Sequence, residues 1–213
     1  ASNGGYRVVP ARVLHAADYG VPQSRERVIF FGFKKSALKK NALTALRKKD
    51  IPVTYDPYPP RTHSFTTDDA SLYPPVTCCE AFNGLLEPNE TNDPSQKKYS
   101  KAKYMGKHCQ GQIEIRLDSI GPTIRLAAEH GGSHTEELMA GLQERRLTVR
   151  ECARIQTFPD DYQFIIPKRG DVCGVSSSDA YKIIGNAVPC VLAYNIAKHI
   201  SEKWSVYFEE EMK

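Results

Sequence analysis

Two apolar stretches open the chain. Across residues 6–14 the apolar residues Val8, Ala11, Val13 and Leu14 suggest a strand, and Pro10 interrupts it, which places that strand near a sheet edge. Residues 28–33 are β-branched or aromatic without a polar break and end at Lys34 and Lys35, so they read as a buried strand. The polar segment 18–27 joins the two. Leu38, Ala42, Ala45 and Leu46 predict a weakly amphipathic helix with a basic face within residues 36–49. Pro52, Pro57, Pro59 and Pro60 then remove backbone donors and disfavour helix, so the reading there is an extended linker and a domain boundary.

Residues 61–143 lack a sustained period. Only 112–117, with Ile113, Ile115 and Leu117 alternating, and 123–127 look like strands. Order returns at Thr148, which forms a capping box with Glu151 and starts a helix of about nine residues that Pro159 stops. Ser176, Ser177 and Ser178 offer an N-cap for a helix over 179–184 that Gly185 closes. Pro189 suits the first turn of a final helix, where Leu192, Ile196, Ile200 and Trp204 recur every four residues.

Composition adds limits. The chain has 213 residues, 40% hydrophobic and 25% charged, which is ordinary for a globular protein of one large or two small domains. No run of about 18 apolar residues is present to span a bilayer, and the first residues do not have the layout of a secretory signal. The net charge of +4 permits nucleic-acid binding without requiring it. Its distribution says more: Lys97, Lys98, Lys101, Lys103 and Lys107 form one basic group, and Arg145, Arg146, Arg150 and Arg154 another. Six cysteines occur with no C-x-x-C pair, which argues against zinc and for reduced thiols.

Three short blocks carry candidate chemistry. In Tyr19-Gly20-Val21-Pro22-Gln23-Ser24-Arg25-Glu26-Arg27, two arginines two residues apart on an extended segment point the same way. They can hold a phosphate or a base edge, or join a surface network with Glu26. In Arg150-Glu151-Cys152-Ala153-Arg154-Ile155-Gln156-Thr157-Phe158-Pro159, basic residues at i, i+4 can grip a DNA backbone or form a solvated helix face. In Ile184-Gly185-Asn186-Ala187-Val188-Pro189, a helix N-terminus offers free backbone donors to a carboxylate, or the segment is a plain junction between helices.

In this order the blocks resemble the closing motif series of the cytosine-5 DNA methyltransferases, and the span between the first and second leaves room for that family's variable target-recognition region. The resemblance implies an α/β fold: part of a Rossmann-like, S-adenosylmethionine-dependent methyltransferase sheet plus a small, irregular, β-rich target-recognition domain. Residues 1–58 would be the C-terminal strands of the catalytic domain, 59–165 the recognition domain, and 166–213 helices returning to the catalytic domain. In such enzymes the cytosine is flipped out of double-stranded DNA, because its reacting carbon is inaccessible in the stack. By resemblance Arg27 contacts the flipped base, Arg25 helps hold the catalytic loop and the reacting state, and Gln23 is a structural member of the block. Gly185, Asn186 and Ala187 close the cofactor pocket near the methionine end. Thr123, Arg125, His130, Gly131 and Gly132 are the candidates for reading DNA. Arg125 suits guanine, and paired glycines allow close backbone approach. The lysine group would give salt-dependent phosphate binding, and the second block is mainly structural.

The family's opening motifs are not found: no glycine-containing cofactor loop after an opening strand, no Pro-Cys-Gln nucleophile, no Glu-Asn-Val acid. Pro189-Cys190 is followed by Val191 at a helix start and is not read as the nucleophile. The expectation is therefore one half of a bacterial restriction–modification methyltransferase, cytoplasmic and nucleoid-associated. It would be inactive alone, partnered by an N-terminal half or subunit, and prone to self-association without it. The competing expectation is a non-catalytic DNA-binding module derived from the family. The RNA-modifying branch is disfavoured because its Cys-Phe-Thr series is not found.

Overall fold

A computed structural model describes residues 5–66, 69–99, 115–123, 146–170 and 174–209. It opens with a bent antiparallel hairpin. Strand β1 (Tyr6–Val8) pairs with β4 (Gly32–Lys34), and β2 (Arg12–His15) pairs with β3 (Glu26–Ile29). Val8 faces Gly32 and Arg12 faces Ile29, so three residues on the first strand oppose two on the second. That is a bulge. It falls at Pro10, where the missing donor costs no ladder bond.

The predicted buried strand is covered on one side only. Ile29, Phe31 and Phe33 face inward, and Phe33 stacks on Trp204 with ring centroids 4.4 Å apart. Val28 and Phe30 are 61% and 67% exposed. The ladder register puts Tyr6, Val8 and Val13 on the same bare outer face. A continuous apolar run suits burial on both faces, and the described residues supply one layer.

The expected first helix is short, α1 (Lys40–Ala45), and buries Ala42 and Ala45. The proline-rich stretch is not a free linker. Tyr58 is buried, with its hydroxyl 2.8 Å from the carbonyl oxygens of both Pro10 and Ile29. The Tyr19 hydroxyl donates to Pro59 O at 3.1 Å, and His199 Nε2 lies 3.0 Å from Asp56 O. The stretch is therefore a strap across the back of the hairpin. Proline's fixed φ favours an extended path, and tyrosines supply the anchors that composition alone does not reveal.

Beyond the strap lie α2 (Cys78–Phe82), α3 (Pro94–Lys97) and α4 (Val149–Ile155). Thr148 and Glu151 form the predicted capping box, and Thr77 with Glu80 forms another. The expectation of a β-rich region is not met among the described residues of 59–165, which contain helices and isolated bridges such as Gln23 with Gly121. Ile115 and Leu117 are buried, but the rest of that expected strand lies outside the described residues, as does most of 123–127. Helix α5 (Ser177–Asn186) is capped by Ser176. Gly185 lies inside it rather than closing it, and Ala187 is the C-cap. Helix α6 (Cys190–His199) follows with Pro189 as N-cap.

Apolar packing forms two clusters. One joins Val9, Leu14, Tyr19, Val21, Phe33, Leu46 and Tyr58 to Leu192 and Trp204 of the chain's last segment. The other joins Cys78, Ile115, Leu117, Val149, Cys152, Ile155 and Phe164 to Ala180, Tyr181 and Ile184 of α5. Helices α5 and α6 thus pack in different clusters, and the turn between them is where the two meet.

Candidate active-site junction

The first block turns at Gly20, whose φ of +84° suits glycine and where a Cβ would sit 2.7 Å from His63 Cε1. The chain re-enters the hairpin at Arg25, whose carbonyl accepts from Ala16 N at 2.8 Å. Extending the ladder register puts Arg25 and Arg27 on one face, with Ala16 and Leu14 opposite them. Their surroundings differ sharply. Arg25 is 1% exposed, and its guanidinium donates to the carbonyls of Gly185 and Ala187, the latter at 3.1 Å. A fixed cation at the C-terminal end of α5 complements the helix dipole and caps carbonyls that have no partner within the helix. Arg27 is half-exposed and donates locally to Glu26 O at 2.7 Å, which leaves a charged group facing solvent.

The second block reaches the same turn. Gln156 is fully buried; its Nε2 donates to Ile184 O at 2.8 Å, and its carbonyl accepts from Cys190 N at 3.1 Å. Thr157 adopts the left-handed conformation, φ +58°, which ends α4 and aims its hydroxyl at Val191 N, 2.9 Å away. The donors at the start of α6 that the sequence suggested were free are therefore partly spent: Cys190 and Val191 give theirs to Gln156 and Thr157. Neither residue was assigned a role from sequence. The only signal was two polar residues directly after an apolar helix face.

Of the third block, Gly185 is buried with its carbonyl held by Arg25, Ala187 is half-buried with its carbonyl held likewise, and Asn186 is exposed. The expected cofactor side of the junction thus presents the Asn186 amide outward while Arg25 and Gln156 fix the backbone beneath it. Cys190 is half-buried, and burial pushes its thiol pKa up, the opposite of an activated nucleophile. No group that could hold a metal ion occurs among the described residues, nor does any helix long and apolar enough to cross a membrane.

Arg150 and Arg154 do not form a solvated basic face. Arg150 is 4% exposed, paired with Asp93 at 2.6 Å and donating to Tyr162 O at 3.1 Å. Arg154 forks onto Asp160 at 2.9 and 2.6 Å and also donates to the carbonyls of Ala81 and Asn83. Both tie α4 to the segments around it, at Asp93, Tyr162, Asp160, Ala81 and Asn83. Gln23 is fully buried, and neither polar atom of its side chain has a hydrogen-bond partner among the described residues. Thr123 gives its hydroxyl to Ser24 O. Arg125, His130, Gly131 and Gly132 lie outside the described residues, as do Lys101, Lys103, Lys107 and Arg145.

Comparison with known proteins places the chain in a family. The type II methyltransferase M.BspRI of Lysinibacillus sphaericus is 36% identical over 97% of this chain and 46% of its own length. M.BsuRI of Bacillus subtilis is 32% identical over 98% of this chain and 45% of its own. The chain spans about half the length of the curated relatives it matches. Among solved structures, the Dnmt2 methyltransferase of S. pombe superposes with a TM-score of 0.53 over 93% of this chain and 56% of that one, at 13% identity, a likeness of fold. The sequence model for C-5 cytosine-specific DNA methylases matches residues 2–202, and the chain belongs to that family.

Proposed function

We propose that this chain is the recognition and cofactor-closing half of a DNA (cytosine-5-)-methyltransferase of the restriction–modification type. Its substrate is double-stranded DNA and its methyl donor S-adenosylmethionine. The observation that carries this reading is the convergence of three blocks, far apart in sequence, on the α5–α6 turn: Arg25 and Gln156 hold the carbonyls of Ile184, Gly185 and Ala187 from beneath and leave Asn186 facing out. A pure DNA-binding module has no use for an asparagine kept at that position and facing out.

The residues fit the cofactor at one place. The exposed Asn186 amide can donate to a carboxylate such as the methionine end carries. The bound cofactor supplies the methyl group. Within this chain, Arg27 presents a permanent cation toward the flipped base and offsets negative charge that develops on the pyrimidine ring. Arg25 fixes the spacing between that base site and Asn186. Tyr19 and the strap hold the hairpin rigid behind both.

The nucleophilic cysteine, the acid that supports the ring nitrogen and most of the cofactor pocket belong, in this reading, to a second polypeptide or to the remainder of a longer chain. The hairpin and α6 are then the last elements of a doubly wound sheet, and the bare outer face of the hairpin is where the other half packs. The test is methyl transfer to unmethylated DNA by this chain combined with that half, comparing wild type with Arg27→Ala. A drop of about a hundredfold or more in kcat for Arg27→Ala is expected. Full activity of the variant contradicts the role given to Arg27.

A further inference from the structure

We propose that the contact between residues 22–24 and 121–123 couples sequence reading to base chemistry, with the Thr123 hydroxyl as a positioning residue; the inference rests on the methyltransferase reading above. Ser24 N donates to Gly121 O at 2.8 Å, Gly121 N donates to Pro22 O at 2.9 Å, and the Thr123 hydroxyl donates to Ser24 O. Gln23 pairs with Gly121 as a parallel bridge. Three bonds between three-residue segments nearly a hundred positions apart join the two parts of the molecule that the functional reading separates.

The contact is built for closeness. A Cβ on Gly121 would lie 3.2 Å from Cys78 Sγ, 3.3 Å from Pro22 O and 3.4 Å from Ile155 Cδ1, so a larger residue presses on the backbone of the first block and on α2 and α4 together. On one side, Ser24 precedes Arg25, which is locked to α5, and stands three residues before Arg27. On the other, Thr123 is followed in sequence by the segment expected to read DNA, with Arg125 two residues on. The hydroxyl expected to meet DNA is thus committed to the protein. Its bond is exposed, so water can replace the lost donor at Ser24 O when the hydroxyl is removed, and the fold keeps its stability. What changes is where Ser24, and with it the Arg25–Arg27 segment, sits when the recognition segment engages DNA. Misplacement of this kind reduces turnover with little effect on binding, because it shifts the Arg25–Arg27 segment from its reacting geometry without removing a contact to DNA.

The experiment uses the complete methyltransferase, this chain together with the half that carries the nucleophile, as wild type, Thr123→Val and Thr123→Ser. It reads kcat, KM for DNA and the equilibrium DNA affinity. The expected result for Thr123→Val is a kcat lower by about tenfold or more with DNA affinity within about twofold, and substantial recovery in Thr123→Ser. Gly121→Ala should show the same split, because it opens the same contact from its other end. If Thr123→Val keeps its kcat, or loses DNA affinity in proportion, or is not rescued by serine, the coupling is wrong. An inactive wild type contradicts the functional reading itself, so the two failures are distinct.

Discussion

At the scale of single residues, the two arginines of the first block separate structure from chemistry. Arg25 is sealed under the α5–α6 turn, and removing its side chain leaves the carbonyls of Gly185 and Ala187 buried without a charged donor. Bonds to a charged group contribute about 1.5–3 kcal/mol each, so Arg25→Ala should destabilise the fold by about 3 kcal/mol in urea unfolding. Arg27 is half-exposed and donates to its neighbour's carbonyl, Glu26 O. Arg27→Ala should change stability by less than about 0.5 kcal/mol and act on methyl transfer alone. Asn186→Ala belongs with Arg27: stability unchanged, cofactor affinity reduced, measured by calorimetric titration with S-adenosylmethionine. Tyr19 adds a pH dependence. Burial raises its phenol pKa from 10.0 to about 12. An acid whose folded pKa is raised contributes stability that is fully present below its unfolded value and is lost as pH rises through its folded one. Denaturation midpoints should therefore fall between pH 10 and 12, and in Tyr19→Phe that part of the decline should be absent.

At the scale of elements, the Thr148–Glu151 capping box, the Ser176 N-cap and the four-residue spacing of Leu192, Ile196, Ile200 and Trp204 were legible, because local bonding and helical period set them. The strap was not legible. Prolines announce an extended path, but the bonds that anchor it join Tyr58 to Pro10 and Ile29, and Tyr19 and His199 to the strap's own carbonyls, all across long stretches of sequence. The second block was legible as a helix and misleading as a surface. Arginines at i, i+4 normally face water, and here Asp93 and Asp160 from separate loops turn them inward. At the site, the sequence identified the three blocks through their order. It did not show that Gln156 and Thr157 use the donors at the start of α6, since that requires the left-handed turn at Thr157. Arg150 is sealed but its partner Asp93 keeps a 30% exposed side chain, so Arg150→Ala removes charge-assisted bonds without stranding a buried charge and should cost about 1.5–3 kcal/mol. Because this arginine holds protein rather than phosphate, the salt dependence of DNA binding should keep its slope; a slope reduced by about one unit would place Arg150 on the DNA instead.

At the scale of the whole molecule, the apolar outer face of the hairpin supports the proposed half-enzyme reading. Tyr6, Val8, Val13, Val28 and Phe30 are each more than half exposed on one side of two paired strands. Such a ribbon gains stability from a further layer. If the other half of the enzyme supplies that layer, Phe30→Lys should leave the unfolding midpoint of this chain within about 0.5 kcal/mol of wild type and abolish activity on mixing. Relatives about twice as long as this chain are consistent with a layer of that size. The most direct test of the account is transfer of a labelled methyl group from S-adenosylmethionine to unmethylated DNA, measured with this chain alone and with the complementary half added. The account predicts transfer only in the mixture. Transfer by this chain alone would contradict it, because the nucleophile would then have to lie among these 213 residues.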